Sequence, residues 1–170
     1  HNAVTVDSAD QMTWLSRFTW GEWARGRVLQ TNERGWQGEH DGYARLGVRH
    51  VRTVLMLGEN RWLVVDHLFA RQPHRYFLHW LINDFPNSVT PGQNLICLWP
   101  ETDKLHIRMG LLEGDATFST VRGDPNSTRG WRSRYYGQKE PALSAMLETE
   151  RANACFWTFF GFDGDSVTPS

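Results

Sequence analysis

Lysine is nearly absent from this chain: only Lys104 and Lys139 occur among 18 basic side chains in 170 residues. Arginine carries almost all the positive charge, and its planar fork suits bidentate contacts to carboxylate or sulfate. An excess of either sign is also missing. The formal net charge is -1, which leaves no electrostatic footprint for nucleic acid or for an anionic membrane surface. No apolar run approaches the roughly 20 residues that span a bilayer. Cysteine is limited to Cys97 and Cys155, far apart and without CxxC spacing, which argues against zinc-ribbon chemistry. Both sit among aromatic and aliphatic neighbours, so buried thiols are expected, with a disulfide as the alternative. No His-x-His, His-Glu-x-x-His, Gly-x-Ser-x-Gly, P-loop or Gly-x-Gly-x-x-Gly spacing occurs. Nucleotide binding and serine hydrolysis therefore receive no support. Methionine is missing from the first position, and the chain opens on His1-Asn2-Ala3-Val4, directly into a strand pattern. The expectation is a piece cut from a longer protein, with a tail from Asp163 to Ser170 that reads as unpacked.

What the chain does hold is enough for one folded domain over residues 1–170. A hydrophobic content of 40% with 15 glycines argues for a globular core rather than disorder. Tyr76, Leu78, Trp80 and Ile82 alternate with Phe77, His79, Leu81 and Asn83. Leu105, Ile107, Met109 and Leu111 alternate with His106, Arg108 and Gly110. A period of two is the signature of a strand with one buried face. Arg52 to Leu57, a turn at Gly58-Glu59-Asn60 and Arg61 to Asp66 read as a hairpin, its second arm central and covered on both faces. Phe156 to Phe160 adds another strand. Residues Ala142 to Arg151, after Pro141, read equally as a short helix or a strand pair. Gly123 to Gly130 is a loop on its turn chemistry. The pattern predicts an all-β, antiparallel β-sandwich.

The densest polar cluster is His40-Asp41-Gly42-Tyr43. A His beside an Asp can orient a base or hold a metal; Asp-Gly is equally a common turn pair. Asp66-His67, His74 and His79 follow without metal-site spacing, and His79 reads as a satisfied core or edge residue. Nine tryptophans are many for this length. Flat indole faces can stack on sugar rings. Trp62, Trp80, Trp99 and Trp157 fall in strand patterns and are expected in the core, whereas Trp20, Trp23 and Trp36 are the candidates for exposure.

The order of motifs resembles the C-terminal domain of the heparinase II/III-like polysaccharide lyases. The resemblance is carried by His1-Asn2-Ala3-Val4-Thr5-Val6-Asp7 with Asp10-Gln11, by His40-Asp41-Gly42-Tyr43-Ala44-Arg45-Leu46 and by Arg49-His50-Val51-Arg52. Trp62-Leu63-Val64-Val65-Asp66-His67-Leu68, then His74 before an aromatic strand, extend it. Asp124-Pro125 and Gly130-Trp131-Arg132-Ser133-Arg134-Tyr135-Tyr136-Gly137 continue it, so it covers nearly the whole chain.

The resemblance implies an (α/α) toroid followed by a supersandwich-like antiparallel domain, of which this chain would be the second part. It implies β-elimination on uronic-acid-containing polysaccharides such as heparin, heparan sulfate or alginate. A base takes the proton from C5 of the uronate, the carboxylate is neutralised, and a Tyr or His protonates the departing O4. The resemblance puts the catalytic groups mainly upstream of His1, so no catalytic residue is named in this chain, and the isolated piece is expected to be inactive. By the same resemblance His1 would be a zinc ligand, although Ala3 stands where Thr is usual. Stable zinc sites use about three or four ligands; zinc is thus expected in the full-length protein and no metal in this fragment. His40, Tyr43 and Trp36 are the substrate-binding candidates, with Tyr135 or Tyr136 as further ideas for the proton donor. The implied partners are an acidic polysaccharide and the missing toroid of the same chain, with no nucleic acid and no membrane. A bacterial, periplasmic or secreted location follows from the implied substrate. The rival reading is a non-catalytic carbohydrate-binding or structural sandwich, motivated by the exposed tryptophans.

Overall fold

The computed structural model describes residues 2–100 and 103–162. Its strands are β1 (Ala3–Val6), β2 (Thr13–Ser16), β3 (Thr19–Gly21), β4 (Gly26–Asn32), β5 (Gly35–His40) and β6 (Arg49–Gly58). There follow β7 (Arg61–Phe69), β8 (His74–Ile82), β9 (Asn87–Thr90), β10 (Leu95–Leu98) and β11 (Leu105–Leu111). The series ends with β12 (Thr117–Arg122), β13 (Trp131–Arg132), β14 (Glu140–Pro141), β15 (Leu143–Arg151) and β16 (Ala154–Phe162). The helical elements among the described residues are two short 3-10 turns, Ala44–Leu46 and Pro91–Gln93.

Two antiparallel sheets form the body. The smaller runs β1-β8-β15-β12 and the larger β4-β5-β6-β7-β16-β11-β10-β9. The period of two decides what lies between them. Val4, Val6, Tyr76, Leu78, Ala145 and Leu147 point inward from the small sheet. Leu68, Ile96, Leu98, Ile107, Met109 and Phe156 meet them from the large one. Tyr43 and Val48 close the end of this core from the β5–β6 connection. A polar tie crosses it: Trp80 Nε1 donates to the fully buried Thr158 Oγ1 at 2.9 Å.

Residues 143–151 form strand β15, not a helix. Leu143, Ala145 and Leu147 are buried at intervals of two, between β8 and β12 on either side. Cross-strand pairing on both edges outweighs the short helical spacing of Leu143, Met146 and Leu147. The hairpin at Glu59-Asn60 forms, joining β6 and β7. Its second arm is central, but only Val64, Asp66 and Leu68 are buried, and the opposite face is half-buried. Trp99, expected in the core, is 39% exposed and packs under the Lys104 ammonium. Trp62, Trp80 and Trp157 are half-buried. Cys97 and Cys155 are free and half-buried, so no disulfide links them. Trp20, Trp23 and Trp36 are exposed, as expected. The tail from 163 to 170 lies outside the described residues.

Candidate functional site

A cleft of about 350 Å³ opens where β4, β5 and β6 meet β1, the edge strand of the small sheet. Arg27, Trp36, Glu39, His40, His50 and Arg52 line it. Register brings them together. Pairing of β5 with β6 sets His40 opposite His50, and pairing of β6 with β7 sets Arg52 opposite Asp66. His50 and Arg52 share a face, so Asp66 lies diagonal to His50 and within reach of both.

The four side chains form one bonded row. The Gly42 N–H donates to His40 Nδ1 at 3.2 Å, which leaves the ring proton on Nε2. That Nε2–H donates to His50 Nδ1 at 2.9 Å. His50 then carries its own proton on Nε2 and donates it to Asp66 Oδ1 at 2.6 Å. Arg52 grips the same carboxylate with Nε on Oδ1 at 2.7 Å and Nη2 on Oδ2 at 3.0 Å. Its Nη1 donates to the Asn2 carbonyl at 2.7 Å, and its guanidinium lies over the Trp80 ring, 5.4 Å from the centroid. A single set of tautomers satisfies every member.

Burial alone would raise the Asp66 carboxyl, but hydrogen bonds from His50 and Arg52 outweigh it and hold the group below the ordinary carboxylate range. His40 is pushed down to about 4, first by burial and then by its electrostatic coupling to the neighbouring His50 ring. It is therefore a neutral imidazole at pH 7, with both nitrogens engaged. Glu39 is likewise held low, by Arg49 and then Arg27, each paired with it at 2.6 Å. The arginines at this cleft thus carry their own counter-ions. What remains open is a flat wall: Trp36 leans across Gly38, where a Cβ would come within 2.8 Å of the indole. An aromatic wall beside a fixed neutral imidazole is suited to a sugar ring.

The sequence candidates separate in space. His40 and Trp36 share this cleft. Tyr43 lies in the core, and its hydroxyl donates to the Val4 carbonyl at 2.9 Å. His40-Asp41-Gly42 is also a turn, with Asp41 Oδ1 accepting from the Arg25 N–H at 2.6 Å. His74 bonds Asp7, and His79 bonds Ser144, each at 2.6 Å. Tyr135 and Tyr136 are exposed and do not line this cleft. His1 lies outside the described residues, so its role as a zinc ligand has no geometry here. Among the described residues no three His, Cys, Asp or Glu side chains converge as metal donors. His40, His50 and Asp66 bond one another in line instead. Sequence reasoning missed the His50–Asp66–Arg52 linkage. The signal was the hairpin turn, which fixes the register that brings these residues face to face.

Three comparisons bear on what this site belongs to. The family model described as "Heparinase II/III-like, C-terminal" matches residues 1–158. No curated protein matches the chain. Among solved structures, heparinase III, the BT4657 gene product, superposes with a TM-score of 0.73 at 13% identity, over 99% of this chain and 24% of its own. A mutant of the heparan sulfate lyase HepC from Pedobacter heparinus gives 0.71 at 18% identity, over 98% of this chain and 25% of its own. A further heparinase III gives 0.73 at 14% identity, over 100% and 25%. This chain therefore spans about a quarter of the proteins it superposes on, and the likeness shows the fold alone. By the family match, the chain belongs to the heparinase II/III-like family and corresponds to its C-terminal β-sandwich domain.

Proposed function

We propose that this domain is the sandwich portion of a polysaccharide lyase that cleaves uronic-acid-containing polysaccharides by β-elimination. The observation that carries the reading is the family match over residues 1–158. The heparinase III and heparan sulfate lyase structures share the fold and favour a sulfated or carboxylated glycan as substrate. Within that reading the domain supplies one wall of the substrate cleft. Trp36 offers the stacking face, and the Asp66-anchored row fixes the tautomer and position of His40. Neither His40 nor His50 has a free nitrogen to take the C5 proton. The base, the proton donor and the group that neutralises the uronate carboxylate come from elsewhere in the complete protein, and the domain by itself is inactive. Zinc in the complete protein, with His1 among its ligands, and a periplasmic or secreted location belong to the same proposal.

The test is incubation of the full-length protein with heparin, heparan sulfate and alginate while ultraviolet absorbance is followed. Unsaturated uronate products are expected. No absorbance on any uronate polymer would overturn the reading. A second reading, a binding module without catalysis, is favoured by the exposed Trp14, Trp20 and Trp23. Glycan binding without turnover by the full-length protein would support it.

A further inference from the structure

A second cleft, of about 560 Å³, lies on the outer face of the small sheet. Trp20, Tyr43, Phe77, His79, Arg129 and Met146 are among its walls. The loop between β12 and β13 carries Arg129 over this face, and it is rigidly built. The Gly123 N–H and the Ala142 N–H both donate to the Gly130 carbonyl at 2.9 Å. The Arg129 N–H donates to Ser127 Oγ at 3.1 Å, and Trp131 Nε1 donates to the Asp124 carbonyl at 3.1 Å. Gly130 holds a left-handed φ of 79°, where a Cβ would come within 2.7 Å of the Val121 carbonyl oxygen.

The loop delivers a guanidinium that pairs with no carboxylate among the described residues. Arg129 Nε donates to Ser144 Oγ at 2.9 Å and Nη1 to Ser119 Oγ at 3.0 Å. Nη2 reaches the Ser119 carbonyl at 3.2 Å and the Ser144 carbonyl at 3.5 Å. Every one of these acceptors is neutral. The fully buried Ser144 hydroxyl also shares a hydrogen bond with His79 Nε2 at 2.6 Å. Burial, first of all, pushes His79 down to about 4, so that ring is uncharged at neutral pH. Asp10 also lines the cleft, yet no ion pair among the described residues joins a carboxylate to Arg129. The contrast with the first cleft is sharp, because Arg27 and Arg52 each hold a carboxylate there. A half-buried cation on neutral partners has given up hydration without a matching charge. Five N–H donors against four contacts also leave the fork unsaturated.

We propose that the Arg129 cleft is a second anion-binding site, which takes the carboxylate or sulfate of an acidic sugar. Arg129 pairs with the anion, and Trp20, on the rim, stacks on the ring that bears it. The site rests on the proposed function only in taking the anion to be that of a sugar.

The test uses monosaccharides, which have no glycosidic bond to eliminate, so binding is read independently of any lyase activity. The methyl glycoside of glucuronic acid carries only a carboxylate, N-acetylglucosamine 6-sulfate only a sulfate, and methyl glucoside neither. Saturation-transfer NMR titration of the full-length protein should show binding of one or both anionic sugars and none of the neutral one; which anion binds identifies its source. Loss of a charge-assisted pair predicts that Arg129→Gln weakens binding about tenfold or more. Equal binding of the neutral sugar, no binding of either anion, or wild-type affinity in Arg129→Gln overturns the proposal. Should Arg129→Gln fail to fold, Trp20→Ala decides: several-fold weaker binding of the anionic sugar supports the site and unchanged affinity overturns it. A protein that cleaves uronate polymers yet ignores these sugars loses the second site and keeps the proposed function.

Discussion

His50 Nε2 donates to Asp66 Oδ1 at 2.6 Å, and both residues are buried. This bond sets the direction of every proton in the row that ends at His40. It also makes Asp66 the shared anion of two cationic or potentially cationic partners, His50 and Arg52. Removing one member of a buried charge pair is costly because the other remains desolvated. Asp66→Asn is therefore expected to destabilise the fold by about 3–5 kcal/mol, read from the denaturant midpoint. The surface pair of Arg75 with Glu148 offers the control: Glu148→Gln should move the midpoint little. Equal effects of the two substitutions would show that the row contributes nothing beyond a surface ion pair.

Tyr43 makes a different demand. Its hydroxyl is spent on the Val4 carbonyl inside the core, and burial raises its pKa. Tyr43→Phe keeps the ring and strands one buried carbonyl. The expected cost is about 1–3 kcal/mol of stability. Activity of the full-length protein on a uronate polymer, measured well below the melting temperature, should stay close to wild type. A loss of turnover by orders of magnitude with stability preserved would place Tyr43 at the reacting atoms instead.

These two residues also show what a sequence of this kind exposes and what it hides. The strands of the hairpin were legible because two largely apolar runs, Arg52 to Leu57 and Arg61 to Asp66, flank a turn at Gly58-Glu59-Asn60 that local chemistry fixes. Fold class followed from many such strands. The resemblance, carried by the order of short motifs, located His40 but not what His40 is bonded to. His50, Arg52 and Asp66 come together only through the β6–β7 register, with Arg52 opposite Asp66. Each looks like an ordinary strand residue until that register is known. Arg129 is hidden for a related reason. It sits in a loop of turn-forming residues, and its neutral surroundings are visible only once Ser119 and Ser144 are seen to surround it. Residues 143–151 failed to declare themselves because their apolar positions satisfy both periods, and pairing on both edges made the choice.

Gly110 on β11 faces Trp157 on β16 as its direct cross-strand partner. The indole lies so close over the glycine that a Cβ would come within 2.4 Å of its Cε2 and Cζ2. Gly110→Ala should therefore force the ring aside at a cost of about 1–3 kcal/mol. Trp157→Phe, with a smaller ring, should relieve part of that clash. The double variant is expected to be more stable than the sum of the two single effects predicts, measured as a coupling from denaturant midpoints. Strict additivity would mean that the ring does not fill the space above Gly110.

Stability should fall on mild acidification, and the sign follows from the histidines. His40 and His79 are each pushed from an ordinary value of 6.5 down to about 4, in both cases first by burial. Above pH 6.5 both are neutral whether the chain is folded or not, and they contribute no pH dependence. As pH falls from 6.5 towards 4 the unfolded chain takes up protons that the folded chain refuses. Unfolding is then favoured progressively, until below about pH 4 the folded state binds the protons as well. Asp66, held below its ordinary 3.8, extends the loss further into acid, since its contribution is full above 3.8 and disappears as pH drops through its folded value. Denaturant midpoints measured between pH 7 and pH 4 should decline along this range, with no comparable decline between pH 8 and pH 7. His40→Gln should flatten the decline, and His79→Gln should flatten it independently, because the two rings sit in different clefts. Midpoints that hold steady down to pH 4 would mean that neither ring is kept neutral by the fold, and the proton order drawn for the His40 row would go with it.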